Sequence, residues 1–365
     1  MEYNEENFIM WLSRIDGISL KKKIELLKYY GKAERIFATD RETLKKSKVL
    51  SKDNIDKVLE NIDEKILNDE INELYRKNIK FISVKNEIYP PLLKEIYDPP
   101  LGLYIIGEMP EKDKKTVSVV GSRRCSEYGA TNAYRFSKEM AENGITIVSG
   151  MAYGIDTCAH KGALAAGGKT VAVLGCGVDV VYPKTNRELK NKIEANGCVI
   201  SEYPPQTPPL AANFPVRNRI ISGMSDAVVV IEAGEKSGTL ITVGQALEQG
   251  RTIFSVPANI TSEFSKGSNR LIKEGALVLL ETSDILDELK IDNNNIMKEN
   301  DKKIEISIAP EEKMVYDCIG LQPITAEEIL LKTKNEVSDM QYILTMLELR
   351  GLIERLSGQK YIRSV

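Results

Sequence analysis

Short, continuous apolar runs recur along residues 116–290, and stretches with apolar positions at helical spacing separate them. The runs are Thr116–Val120, Ile145–Val148, Thr170–Leu174, Val199–Ser201, Ala227–Ile231 and Thr252–Val256. Such runs are typical of strands that are buried on both faces of a parallel sheet. Because a helix connects each pair of strands, the pattern predicts an α/β fold with a doubly wound, mostly parallel, Rossmann-like sheet.

The segments before this core have a different pattern. Residues 1–75 show short stretches of helical spacing and predict an N-terminal helical domain of the SAM or helix-hairpin-helix type. The stretch IDGIS has Gly17 but carries Ser19 at the second glycine position of a helix-hairpin-helix motif. Residues 81–107 are rich in tyrosine and proline and contain one predicted strand, Leu103–Ile106. The α/β domain is therefore predicted to span residues 76–290.

The chain after the α/β domain is predicted to hold a linker and a small third domain. Residues 291–305 are polar and have few apolar positions, which is typical of a linker. Residues 306–365 then show three helical segments, Pro310–Ile319, Thr325–Leu331 and Ser338–Leu349, and a hairpin pattern in Leu352–Ile362 around Ser357 and Gly358. Three helices followed by a hairpin predict a winged-helix domain.

Composition and charge narrow the class of protein. The chain has 365 residues, of which 42% are hydrophobic and 28% charged, with a net charge of −3. This is ordinary globular composition, and the absence of an apolar run of about 18 residues or of an export signal predicts a cytoplasmic protein with no membrane span. The winged-helix segment has 7 basic and 9 acidic residues. Since duplex binding needs several cations, this balance favours a protein-interaction or structural module over a DNA reader.

The sequence contains little that indicates a metal site or a cofactor site. His160 is the only histidine, the five cysteines show no CxxC spacing, and no cluster has metal-ligand spacing. Neither a Walker A motif nor a GxGxxG motif occurs, so no metal, cofactor or catalytic residue is predicted. Asp156 precedes His160 by four residues, and we interpret Asp156 as a helix N-terminal cap and His160 as a packed residue.

The first candidate binding segment is Gly121-Ser122-Arg123-Arg124. It directly follows the predicted strand Thr116–Val120 and precedes a helical stretch. A strand, a glycine turn and a helix start direct backbone N–H groups to one point, which suits phosphate. We expect Gly121, Ser122 and Arg123 to bind phosphate, with Arg124 as a solvated neighbour.

A second candidate is the helix start that carries Arg217, Asn218 and Arg219. Two cations and an amide near a helix N-terminus form a strong candidate anion site. Ion pairs with Glu202 or Glu232 are the alternative, and both interpretations can hold together.

A third helix start carries Ser237, Gly238 and Thr239 after the strand Ala227–Ile231. This arrangement also suits phosphate. Phe214, which lies before the second candidate, is predicted to be a core residue.

Seven blocks in this order resemble the DNA-processing protein A family (DprA, also called Smf). They are VVGSRRCSEYG (119–129), VSGMAYGIDTCAHKGAL (148–164), GCGVDVVYPKTNREL (175–189), SEYPPQTPP (201–209), NFPVRNRIISG (213–223), SGTLIT (237–242) and GSNRLIKEGA (267–276). The resemblance covers residues 80–290 and fits the predicted flanking domains.

The resemblance implies a DNA-recombination function. It implies cooperative binding of single-stranded DNA, a homodimer, and loading of a RecA-type recombinase in the presence of single-strand-binding protein during natural transformation. It also implies that Arg123, Lys184, Arg217 and Arg219 contact the DNA. We therefore expect a DNA-binding protein and not an enzyme.

Two other functions compete with this expectation. The nucleotide phosphoribohydrolases of the LOG type use a PGGxGTxxE turn, and the chain has EKSGTLIT with Thr242 at the acidic position. A transcription regulator that reads duplex DNA through the winged helix is the other alternative, and the acidic balance of that segment argues against it.

Overall fold

The computed structural model of the chain describes residues 3–291, 310–320, 323–333, 337–356 and 360–363. These residues form two compact units, Met1–Asp292 and Asn293–Val365. The predicted linker lies outside the described residues except for residue 291.

Short helices begin the first unit. They are α1 (Glu5–Arg14), α2 (Leu20–Tyr30), α3 (Ala33–Phe37), α4 (Arg41–Lys46), α5 (Lys52–Glu60) and α6 (Glu64–Arg76). Polar residues cap several of them, and the Ser19 side chain accepts from the backbone N–H of Lys22 at the start of α2. Trp11 is fully buried among these helices and donates a 2.7 Å hydrogen bond to the carbonyl of Asn61.

A nine-stranded sheet forms the centre of the first unit. Its strands are β1 (Lys80–Ser83), β2 (Gly102–Gly107), β3 (Thr116–Val120), β4 (Thr146–Ser149), β5 (Thr170–Val173), β6 (Cys198–Ser201), β7 (Ala227–Val230), β8 (Thr252–Ser255) and β9 (Leu277–Val278). The order across the sheet is β1-β2-β6-β5-β4-β3-β7-β8-β9. Strands β3 to β9 pair in parallel, and β2 runs antiparallel to β1 and β6. The predicted mostly parallel α/β sheet is confirmed.

Helices cover both faces of this sheet. They are α7 (Pro91–Lys94), α8 (Glu127–Glu142), α9 (Ile155–Ala165), α10 (Arg187–Asn196), α11 (Asn213–Gly223), α12 (Thr239–Glu248), α13 (Lys266–Lys273) and α14 (Thr282–Glu288). Alternate residues of β3 pack in different clusters, with Val117 and Val119 on one face and Val120 on the other. Burial on both faces explains why the strands read as continuous apolar runs.

The six predicted α/β strands agree with β3 to β8 within one residue at either end. Two further strands, β1 and β9, were not predicted. Strand β1 lies at one edge of the sheet and β9, with only two residues, lies at the other. Edge strands lack the two-sided burial that produces an apolar run, so their sequences carry a weaker signal.

The second unit contains three helices, α15 (Pro310–Cys318), α16 (Ala326–Thr333) and α17 (Val337–Leu349). It also has a three-stranded antiparallel sheet of β10 (Ile324–Thr325), β11 (Ile353–Leu356) and β12 (Lys360–Arg363) in the order β10-β12-β11. Val315, Ile329 and Leu347 are fully buried in its core. This is the predicted winged helix, and the predicted turn at Ser357 and Gly358 lies outside the described residues.

Among the described helices, none has both the length and the apolar character that a membrane span requires.

Candidate functional site

A cleft of about 630 Å³ opens at the carboxyl edge of the central strands. It lies where the strand order reverses, since β3 has β4 on one side and β7 on the other. Ligands of open α/β sheets bind at such a switch point. The chain segments that follow five strands contribute lining residues, either in the loop or in the helix that comes next. Among them are Ser122 and Arg123 after β3, Asp156 after β4, Tyr182 after β5, Phe214, Arg217 and Asn218 after β6, and Ser237, Gly238 and Thr239 after β7.

The loop after β3 is anchored by Glu232, which follows β7. The backbone N–H of Ser122 donates to the Glu232 carbonyl at 2.8 Å. The Glu232 carboxylate, which is buried, accepts from the backbone N–H and the hydroxyl of Ser126 at 2.8 and 2.7 Å. The three hydrogen bonds that Glu232 accepts hold both ends of this loop against the neighbouring strand.

The Ser122 hydroxyl stabilises the loop internally. It donates to the carbonyl of Arg124 at 2.8 Å and accepts from the Arg124 backbone N–H at 3.1 Å. The side chains of Arg123 and Arg124 are exposed, and both line the cleft. The Ser122 hydroxyl is therefore already hydrogen-bonded within the loop, whereas two exposed arginines line the cleft beside it.

Two glycines allow the loops after β3 and β4 to approach each other and the cleft floor. A Cβ atom on Gly154, which has φ of +74°, would lie 2.3 Å from the Ser122 carbonyl oxygen. A Cβ atom on Gly150 would lie 2.7 Å from both Arg217 Nη2 and Asp156 Oδ2. Any side chain at either position would displace the atoms that define the cleft.

Arg217 lies in the floor of the cleft and is only 3% exposed. It donates through Nη1 to the carbonyls of Gly150, at 2.9 Å, and Val173, and through Nε to the Asn218 side chain at 3.2 Å. Burial lowers its pKa to about 10, and the nearby Asp156 carboxylate opposes that effect. Arg217 is therefore a cation at neutral pH, and it supports the ends of two strands.

Asp156 is buried beside Arg217. Burial raises the pKa of its carboxyl group, and the charge of Arg217 opposes the shift. Its Oδ2 accepts from the backbone N–H of Ala152 in the preceding loop at 3.3 Å. The helix-capping role predicted for Asp156 is thus wrong, because α9 has no side-chain cap and the carboxylate turns toward the loop.

His160 is a packed residue, as predicted. It is fully buried, and its Nδ1 lies 2.7 Å from the hydroxyl of Thr170. Because that hydroxyl donates to the Ile147 carbonyl at 2.8 Å, it accepts from an N–H on His160 Nδ1. Burial lowers the pKa of His160 to about 3, so the imidazole is neutral at physiological pH.

Arg219 points away from the cleft and is not among its lining residues. Its Nη2 donates to both carboxylate oxygens of Glu202 at 2.8 Å, and its Nε donates to Asp98 at 2.9 Å. The structure therefore does not bring Arg219 together with Arg123. The predicted ion pair with Glu202 is confirmed, and a pair with Glu232 is not formed, because that carboxylate binds Ser126.

Phe214 forms a wall of the cleft, so its prediction as a core residue was wrong. The Arg123 guanidinium carbon lies 5.2 Å from the centre of its ring, and that of Arg217 lies 5.8 Å from it. The ring of Tyr182, which is 37% exposed, is centred 5.5 Å from that of Phe214. The sequence signal for Phe214 is its place in the first turn of a helix that also carries two arginines.

Of the remaining predicted residues, five line the cleft and Lys184 does not. Gly121, Asn218, Ser237, Gly238 and Thr239 all line the cleft. Their presence there brings three predicted segments, from the ends of three different strands, to one site.

Lys184 is exposed at the start of a short 3₁₀ helix, Lys184–Asn186, and is not a lining residue of the cleft. It follows the lining residue Tyr182 by two positions and so lies near the rim. Within the described ranges, no group of three or more histidine, cysteine or acidic residues could hold a metal ion.

The fold and the cleft define the class of protein: a Rossmann-like protein with a basic site at the switch point of its sheet, and a winged-helix unit. Residues 80–290 match the family model described as DNA recombination-mediator protein A, and residues 302–359 match the DprA winged helix domain. The chain belongs to the DNA recombination-mediator protein A family.

Relatives from distant bacteria show the same likeness. The DNA processing protein DprA of Streptococcus pneumoniae is 45% identical over 208 residues, which are 57% of this chain and 73% of that protein. The protein Smf of Synechocystis is 33% identical over 327 residues, which are 80% of this chain and 82% of that protein.

Two solved structures share the fold. The X-ray structure of DNA processing protein A from S. pneumoniae superposes with a TM-score of 0.68 and 35% identity, covering 79% of this chain and 99% of that one. The protein from Helicobacter pylori, solved to describe its single-stranded DNA binding mode, gives a TM-score of 0.53 and 29% identity, with coverage of 58% and 96%.

Proposed function

We propose that this chain binds single-stranded DNA in the cleft and loads a RecA-type recombinase onto the bound strand. It acts in the cytoplasm as a homodimer, and single-strand-binding protein is a further partner. Membership of the DNA recombination-mediator protein A family supports the recombination role. The described single-stranded DNA binding of the H. pylori relative supports the ligand.

One observation carries the choice of ligand: the exposed guanidinium of Arg123 lies over the ring of Phe214, 5.2 Å from its centre. Proteins bind single strands by placing cations along the phosphate backbone and aromatic rings against the bases. A cation and an aromatic ring at the same rim provide both contacts within the span of a nucleotide. Arg124 and Tyr182 extend the same combination along the cleft.

The residues of the cleft divide into direct and indirect roles. We assign phosphate binding to Arg123, Lys184, the α12 start at Ser237–Thr239 and the amide of Asn218. The turn of Gly121 and Ser122 holds Arg123 in position, because the N–H and the hydroxyl of Ser122 are both hydrogen-bonded within the protein. Arg219 donates through Nε and Nη2 to Asp98 and Glu202, and we propose that it shapes the site without contacting the strand. Arg217 donates to protein acceptors through Nε and Nη1 and lines the cleft, and we propose that it supports the strand ends and adds positive potential at the floor.

A binding role without catalysis fits the chemistry of the cleft better than glycosidic hydrolysis does. Thr242, at the acidic position of the LOG-type turn, lines the cleft with a hydroxyl. Of the residues that line the cleft, Asp156 alone carries a carboxylate, and it faces Arg217. Incubation with AMP is expected to release no adenine, and turnover of AMP would contradict the binding role.

The ligand is tested by fluorescence anisotropy with labelled oligo-dT. We expect binding that weakens steeply with salt, since each phosphate contact on a single strand contributes a slope of about −0.7 to log K against log salt. Arg123→Ala is expected to weaken binding to every sequence to a similar degree. Lys114→Ala, at the opposite edge of the sheet, is the control and should bind as the parent does. Equal affinity of Arg123→Ala and the parent would contradict the site.

The loading function needs its own experiment. The parent protein, the cognate recombinase, circular single-stranded DNA and single-strand-binding protein are mixed, and recombinase filament formation is followed. The parent should shorten the delay that single-strand-binding protein imposes, and Arg123→Ala should not. If the parent binds oligo-dT tightly but does not shorten the delay, the proposed loading function is wrong and the proposed DNA binding still stands.

A further inference from the structure

A second groove, with a volume of about 450 Å³, runs between α9 and α10. Its polar lining residues are Lys161, Thr185, Asn186, Glu188, Lys192 and Asn196. None of them lines the cleft described above. The groove is therefore a separate surface feature. Lys161 lies within the block of residues 148–164 and Lys192 outside every block, and the proposed function uses neither lysine.

The groove is basic. Lys161 comes from α9 and Lys192 from α10, so the two helices place a cation each along it. Both side chains are exposed, and within the described residues neither forms an ion pair. Glu188 is the one acidic residue among those that line the groove.

The groove and the cleft have lining residues that are close together along the chain. Tyr182 lines the cleft and Thr185 lines the groove, so the two features are three residues apart, or at most about 10 Å along the chain. The exposed Lys184 lies between them. This connection is held in place by Asn186, whose amide donates to the Met151 carbonyl at 3.1 Å and to the Thr157 hydroxyl at 2.8 Å.

We propose that the groove binds the phosphate backbone of single-stranded DNA that continues out of the cleft, with Lys161 and Lys192 as its phosphate contacts. The inference rests on the proposed function, because it extends the track of the same strand. A lysine ammonium binds phosphate as a point charge without a fixed orientation. Contacts of this kind suit a groove on the outer surface, where the strand needs guidance but no fixed register.

The experiment compares two probes. Oligo-dT of about 6 nucleotides, near the lower end of single-strand site sizes, occupies the cleft alone, and oligo-dT of about 25 nucleotides reaches the groove as well. The test variant is Lys161→Gln/Lys192→Gln, and the matched control is Lys112→Gln/Lys114→Gln, two exposed lysines at the opposite edge of the sheet. A second variant, Glu188→Gln, removes the negative charge of the acidic lining residue and is expected to increase the affinity for the long probe.

The test variant should bind the short probe as the parent does and the long probe several-fold more weakly. Its salt slope on the long probe should be less steep by about 1.4, because two phosphate contacts are lost. Glu188→Gln should bind the long probe more tightly, and the control pair should match the parent on both probes.

The other outcomes overturn the proposal. If the test variant keeps the parent's affinity and slope on the long probe while Arg123→Ala binds weakly, the groove proposal is wrong and the cleft stands. The same result would follow if the groove held an acidic segment of a partner protein. If the variant weakens both probes equally, the lysines do not act on an extended strand. If the parent binds neither probe, the proposed function fails together with this inference.

Discussion

The buried carboxylate of Glu232, at the end of β7, accepts hydrogen bonds from both the backbone N–H and the hydroxyl of Ser126, which begins α8. Residues 106 positions apart in the chain thereby fix the loop that carries Arg123. The Ser126 hydroxyl also accepts from the backbone N–H of Gly129 and caps α8. One carboxylate therefore connects a strand end, a helix start and the proposed DNA-binding loop.

Replacement of Glu232 should weaken both the fold and DNA binding. Glu232→Ala leaves the backbone N–H of Ser126 without its acceptor, which costs about 1–3 kcal/mol of unfolding free energy. Glu232→Gln retains one acceptor oxygen and should be intermediate. Urea unfolding and oligo-dT anisotropy should rank the parent above Glu232→Gln and Glu232→Ala in both measurements. Unchanged affinity in Glu232→Ala would show that the loop does not need this anchor.

Arg217 and Arg123 should differ in their effect on the free protein. Arg217→Ala leaves the buried carbonyls of Gly150 and Val173 without their donor, and each unsatisfied buried group costs about 1–3 kcal/mol. Arg123 is exposed, and Arg123→Ala should change stability by no more than about 0.5 kcal/mol. Thermal unfolding without DNA tests the difference. Equal melting temperatures for Arg217→Ala and the parent would contradict a structural role for Arg217.

Phe214 should contribute through its ring. Phe214→Leu keeps an apolar side chain but removes the aromatic face, and loss of base stacking costs about 1–3 kcal/mol per base, or roughly 5-fold to 150-fold in affinity. Phe214→Tyr keeps the face and should remain close to the parent. Oligo-dT titrations of the three proteins test this expectation. A leucine variant that binds as tightly as the parent would exclude stacking on Phe214.

The single histidine offers a pH test. Burial depresses the pKa of His160 to about 3, whereas an unfolded histidine titrates near 6.5. The unfolded chain therefore takes up the proton first as the pH falls. The stability that the neutral imidazole contributes is complete above about pH 6.5 and declines toward pH 3, by about 2 kcal/mol at pH 5.

Urea unfolding at pH 7.5 and pH 5 measures this effect. His160→Gln should lose less stability than the parent between the two values, because its side chain does not titrate. Carboxylates that titrate in the same range are common to both proteins and cancel in the comparison. An equal loss in the two proteins would place the pKa of folded His160 near its ordinary value.

The sequence was sufficient for the parts of the fold that depend on local pattern. Strands β3 to β8 were predicted from apolar runs, because two-sided burial demands such residues whatever their partners are. The phosphate-suited turns at Gly121 and Ser237 were predicted for a similar reason, since a parallel sheet directs strand ends to one edge. Strand β9 was missed because two residues at an edge carry no periodicity.

The sequence did not distinguish the different roles of the three arginines predicted for the site. Arg123, Arg217 and Arg219 all follow strands and were predicted to lie at helix starts, so one rule gave them one role. In the structure α11 begins at Asn213, which places Arg217 and Arg219 within the helix. In the folded chain Arg123 is exposed, Arg217 is buried under the cleft and Arg219 pairs with Glu202 and Asp98. Which cation reaches solvent depends on the direction of each side chain and on partners from distant segments.

By itself, the sequence determined the doubly wound sheet, the winged helix and the edge of the sheet at which the cleft lies. Buried strands and helices require apolar residues at characteristic spacings, and parallel strands all end at the same edge. The tertiary structure alone decided that Phe214 lines the cleft and that Glu232 anchors Ser126. It also decided that Lys161 of α9 and Lys192 of α10 line one groove. These relationships join residues from separate strands and helices, and their energies come from packing, hydrogen bonding and desolvation that exist only when those elements meet.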